Sequence, residues 1–162
     1  MEQLAIILSI LTITIYLSII VKKFGIQESW SKTYYKIKRK IIFTGIMFAT
    51  GFPIVFLGAY QEIKLPEIAL ILSGVSLMLV GIAPAFRFNK FEGTIHNICA
   101  FGSVAFGYIA GLLYNIEYLF IVFIAAIACY ILMKKSVKNY TWYAETIAYV
   151  TNMVWIVDRF LY

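Results

Sequence analysis

Between Glu2 and Lys22 the chain reads QLAIILSILTITIYLSIIV, a stretch without a charge, and runs of the same kind recur along its whole length. A helix of about 20 apolar residues rises about 30 Å, the thickness of a bilayer's hydrocarbon core. A chain that offers several such runs has no room for an aqueous core that could hide them. The composition agrees, with 62% of the 162 residues hydrophobic, 14% charged and a mean hydropathy of +0.87. Ordinary soluble domains carry roughly 25% charged residues. The expected fold is therefore an all-α integral membrane helical bundle of about six transmembrane helices with short loops. It forms a single transmembrane domain over 1–162, without a separate soluble domain.

The apolar runs lie at about 3–21, 41–60, 66–86, 94–114, 117–133 and 141–161. Breakers sit at their ends: Pro66 opens the third, Gly93 and Thr94 open the fourth, and the turn at Asn115 closes it. Pro53 falls inside the second and predicts a bend there. The last run contains Glu145, Asn152, Asp158 and Arg159, so hydropathy alone would also allow it to lie on the membrane surface. The first run lacks a basic leader and a small-residue cleavage site, and it reads as a retained span. Cys99 and Cys129 lie in apolar runs at no metal-ligand spacing, which suits buried reduced thiols.

Orientation follows from the cations outside the spans. The first connection carries seven Lys and Arg, the third two and the fifth three, against only Lys64 and Arg159 on the other side. The connections after spans one, three and five are thus expected in the cytoplasm, with both termini outside, in a bacterial inner (plasma) membrane. In the basic juxtamembrane segment 22–40, WSKTYYKIKRK puts Trp30, Tyr34 and Ile37 on one helical face, and Lys32, Lys36 and Arg39 mostly on the other. That pattern suits a helix at the headgroups, where Lys32, Lys36, Lys38, Arg39 and Lys40 either anchor the chain or contact anionic lipid or an acidic partner. The net charge of +6 comes mostly from these loops and gives no reason to invoke nucleic acid.

Two polar faces stand out within the spans. On the fourth, His96, Ala100, Ser103, Gly107, Ala110 and Tyr114 fall within about 40° of one direction. Ser103, Gly107 and Gly111 add a small-residue ladder for helix packing, so His96, the chain's only histidine, should point into the bundle with it. On the sixth, Thr141, Glu145, Tyr149, Asn152 and Arg159 share a face that would be costly against lipid. His96 and Glu145 enter from the same side at similar depth, and a contact between them is expected. Such a pair can exchange a proton, or it can simply be a polar clasp that fixes helix register. His96, Asn97, Glu145, Tyr149 and Asn152 are the candidate binding or gating residues.

Elsewhere, Gly45, Ala49, Gly51, Gly74 and Gly81 read as packing positions, and Ser9, Thr12, Thr14 and Ser18 can bond back to their own helix. No metal site, cofactor motif, nucleophile elbow or phosphate loop is present, and the reading leans away from an enzyme.

With FGIQESWSKTYYKI, GIAPAF, His96 and WYAE read together, the chain resembles small, uncharacterised multi-pass membrane proteins of bacteria and their phages. The resemblance implies that the juxtamembrane Ser/Tyr segment, His96 and Glu145 belong to one site, and it supplies no activity. Three functional expectations stand: a non-enzymatic channel or transporter-like module with a polar site near the cytoplasmic face, a lipid-binding or lipid-modifying protein, and a phage- or defence-related interaction factor. A homo-oligomer is also expected from the small-residue faces.

Overall fold

The computed structural model describes residues 1–82 and 90–161, and the side chains among them other than those of 90–92. The expected end of the third run, the GIAPAF stretch after Ile82 and most of the loop that follows lie outside these residues. Within them the protein is wholly helical: α1 (Glu2–Phe24), α2 (Ile41–Tyr60), α3 (Leu65–Ile82), α4 (Lys90–Tyr114), α5 (Tyr118–Lys134) and α6 (Tyr140–Leu161). A single 3-10 turn, Ser31–Tyr35, lies between α1 and α2. Four helices, α1 to α4, are long and apolar enough to cross a membrane, which makes the protein a membrane-embedded helical bundle. At 17 residues α5 is apolar but short, rising about 26 Å.

Helices α1, α2, α3, α4 and α6 close a ring in which each packs on the next and α6 returns to α1, while α5 stands outside against α6 and α4. The reason for that order is visible in the side chains. Helix α5 buries only Ala125 and presents Phe120, Phe123, Ile127 and Tyr130 outward. Helix α6, the least apolar of the six, buries Trp142, Thr151, Asn152, Met153, Trp155 and Ile156 in the interior.

Where α2 meets α3 the two backbones almost touch. A Cβ added at Gly51 would stand 2.7 Å from the Gly74 carbonyl oxygen, and one at Gly74 the same distance from that of Gly51. Gly58 meets the carbonyl of Glu67, and Gly81 meets Met47, in the same way, whereas Gly45 has open space. Thr44 ties the pair by donating to the Gly81 carbonyl at 2.8 Å. Ser9 departs from the expectation of bonding within its own helix. It crosses from α1 to donate to the Thr50 carbonyl of α2 at 2.9 Å. That carbonyl adjoins Ala49, the residue whose own acceptor loses its helical donor because Pro53 has no N–H.

Two apolar clusters make the core. One gathers Ile6, Leu57, Leu70, Ala110 and Ile156, and the other Ile13, Tyr16, Ile20, Trp30, Phe43 and Trp142. The second lies at the end that carries the 22–40 connection and the start of α6, called the basic end below.

Candidate functional site

The juxtamembrane segment differs from the amphipathic surface helix that its pattern predicts. After Gly25, whose φ of 73° turns the chain back, it folds onto the bundle, and Trp30 and Thr33 are buried. Three sets of bonds hold it there. Thr33 donates to the Trp30 carbonyl at 2.6 Å and meets the Tyr16 hydroxyl at 2.5 Å. The Trp30 indole donates to Thr146 at 3.2 Å. Asn139 and the Trp142 amide reach the carbonyls of Ile26 and Glu28 at 2.9 and 3.1 Å. Tyr34 and Ile37 do turn inward with Trp30, as their spacing predicts, but through a tight turn. Trp30 caps the N-terminal end of this turn, where the first amides of a helix have no partner of their own, and its N–H donates to the Glu145 carboxylate at 2.5 Å.

Glu145 stands on the wall of a cavity of about 80 Å³ inside the ring. His96, Ser103 and Gly107 of α4, Tyr149 and Asn152 of α6, Ser73 of α3 and Ser31 of the folded-back segment share that wall. His96 is buried, at 4% exposure. His96 and Glu145, expected to touch, share this cavity wall. The bond that Glu145 makes is to the main chain of Trp30, a group that side-chain patterns do not advertise. Asn97, one position along from His96, is turned about 100° away on the helix and is exposed, so it takes no part in the cavity.

The polar groups around the cavity are unequally satisfied. Ser73 donates to the Ser103 carbonyl at 2.6 Å, and Ser103 to that of Ala100 at 2.8 Å. The Tyr149 hydroxyl meets Ser9 at 3.2 Å, while its ring packs on Trp30 with centroids 5.6 Å apart. Asn152 is 7% exposed, and its Oδ1 has no hydrogen-bond partner among the described residues. It stays there because α4 offers a glycine opposite, since a Cβ at Gly107 would lie 2.6 to 2.7 Å from the Asn152 amide. Gly111 accommodates Trp155 one turn further on. The Ser103, Gly107 and Gly111 ladder thus packs mainly on α6, with Ser103 also joined to α3.

Of the basic residues singled out for anionic lipid, Lys36, Lys38 and Arg39 are exposed. Lys32 pairs with Glu28 at 3.4 Å, and Lys40 donates to the Tyr34 carbonyl at 2.7 Å and sits over the Tyr34 ring. Among the described residues no three His, Cys, Asp or Glu side chains come together as a metal site would require.

At the other end of the bundle lies a group the sequence did not flag. Glu67, in the first turn of α3, is buried, with one oxygen 3.8 Å from Arg159 of α6 and the other unpartnered. Arg159 stacks over Tyr114 at 4.6 Å, and the Tyr118 hydroxyl donates to Asp158 at 2.5 Å. An acidic residue just after Pro66 reads in sequence as an ordinary helix N-terminus, which is why its burial had no signal.

Compared with family models, with curated proteins and with solved structures, the chain matches none.

Proposed function

We propose that this protein is a non-enzymatic, six-span membrane module that holds a small, cationic, hydrogen-bond-donating solute in the cavity, in the manner of a transporter. On this reading the 29–35 segment is the plug between the solute and the basic, cytoplasmic side. Both termini face outward across a bacterial plasma membrane, as the weight of Lys and Arg on the connections after α1 and α5 favours.

The observation that carries the reading is the unpartnered, buried Asn152 oxygen on the same wall as the Glu145 carboxylate. A buried acceptor left unsatisfied costs about 1–3 kcal/mol, and an occupant that donates to it would recover that cost. A carboxylate and an amide oxygen both accept, so the complementary occupant brings N–H groups and a positive charge. A volume of about 80 Å³ limits it to a few non-hydrogen atoms. The apolar surroundings make the unoccupied carboxylate costly, which is a reason for the Trp30 amide to cover it. Release toward the basic end would require the plug to move, opening the charge-assisted Trp30–Glu145 bond, worth about 1.5–3 kcal/mol, together with the bonds of Thr33 to Tyr16 and of Trp30 to Thr146.

The test is uptake of methylammonium into proteoliposomes. Glu145→Gln, which keeps an acceptor for Trp30 but removes the charge, should abolish most of the flux, and His96→Ala should alter it. No uptake by the native protein, or uptake unchanged in both variants, would refute the proposal.

A further inference from the structure

Beside the cavity, and separated from it by Trp30, Tyr149 and Met153, an open groove of about 870 Å³ runs between α1 and α6 on the outside of the ring. Its walls are apolar along most of their length, with Leu17 and Val21 on α1 facing Val150 and Val154 on α6. It runs from Ile10 and Val157 at its deep end to Lys22 and Trp142 at the basic end. On α1 that is twelve steps from Ile10 to Lys22, about 18 Å at 1.5 Å per residue, close to the half-thickness of about 15 Å of a bilayer's hydrocarbon core. The groove is thus one leaflet deep, and it carries a lysine only at the end that meets the headgroups.

We infer that this groove is a binding site for a single anionic phospholipid of the leaflet on the basic side, with its phosphate on Lys22 and one acyl chain laid between α1 and α6. Three features argue for a defined lipid and against general solvation. Lys22 is exposed and makes no ion pair among the described residues, unlike Lys32 and Lys64. Ser18, exposed in the groove wall one turn deeper than Lys22, stands where the ester carbonyls of such a lipid would lie and can donate to them. Trp30 and Trp142 flank the charged end, the level at which indoles favour the interface. The site is separate from the exposed loop cations and from the solute cavity, and it does not depend on what that cavity holds.

The experiment is native mass spectrometry of the protein released from nanodiscs of equal phosphatidylglycerol and phosphatidylcholine. One phosphatidylglycerol per chain should be retained, and phosphatidylcholine should not. Lys22→Gln should lower that retention about fivefold, the effect of one lysine near an anionic surface, whereas Lys38→Gln on the loop should leave it unchanged. Val150 is 55% exposed, so Val150→Trp fills the groove without entering the core and should remove the lipid. Val154→Phe serves the same purpose should that variant fail to fold, as judged by circular dichroism. Equal retention of the two lipids, equal loss in Lys22→Gln and Lys38→Gln, or retention in a folded groove-filling variant would overturn the inference. Glu145→Gln, which does not line the groove, should keep its lipid even where it loses solute uptake.

Discussion

Single side chains divide into those that close the bundle and those that leave it incomplete. Glu145 closes it, because its carboxylate receives the Trp30 amide and so fixes a segment of the chain distant in sequence. Glu145→Leu should release that segment, shifting tryptophan emission to the red and opening Lys32 and Lys36 to trypsin, while Glu145→Gln should keep both near native. Equal protection in the two variants would show that the bond does not hold the turn. At the opposite end the Glu67–Arg159 pair predicts an asymmetry. Removing the cation strands a buried carboxylate, so Arg159→Met should destabilise by about 3 kcal/mol or more, and Arg159→Met with Glu67→Gln by clearly less. A double variant no more stable than the single would sink this account. Asn152 is the incomplete one, and sequence reasoning reached it only as part of a polar stripe. Its lack of a partner is a fact of what lies opposite, and α4 supplies there a glycine and nothing to bond.

Among the elements, the tightest contact is between α2 and α3, where glycine carbonyls and Cα atoms face one another without side chains between them. Gly51→Ala or Gly74→Ala would press a methyl group against main chain that cannot step aside, and each should lower stability by about 1–3 kcal/mol. Gly45→Ala, in open space, should be neutral or slightly stabilising, since alanine is the better helix former. Thermal melts in detergent would decide, and similar values for Gly45→Ala and Gly51→Ala would refute the backbone-contact account. The sixth element shows why hydropathy alone misleads: α6 reads as the least membrane-like of the helices, yet it closes the ring between α4 and α1. A helix surrounded by other helices is relieved of the need to be apolar all round, so its polar stripe is a mark of centrality. Apolar α5 is peripheral for the converse reason.

For the whole molecule, the ring of five helices with α5 outside encloses a small cavity, with a few polar groups on a largely apolar wall, and leaves an open apolar groove beside it. The proposed orientation can be checked in a background with Cys99 and Cys129 replaced by alanine. A cysteine at Lys138 should be labelled from the cytoplasmic side only, and one at Glu62 from the outer side only. Both residues are exposed in loops at opposite ends of the bundle. Labelling of the two from one side would overturn the proposed six-span topology.

The helical bundle was legible in the residues because its cause is local: runs of apolar side chains between charges, long enough to cross a bilayer, have one stable solution. The same local logic turned His96 and the Ser103, Gly107 and Gly111 ladder inward, for a helical face follows from the 3.6-residue repeat alone. What the sequence could not state is which helices are neighbours, and every surprise follows from that. The Trp30 amide on Glu145, Ser9 on Thr50, Glu67 buried against Arg159 and Asn97 turned away from the cavity each depend on a partner distant in the chain or on a few tens of degrees of helix rotation. Periodicity determines the faces of a helix, and only packing decides what each face meets.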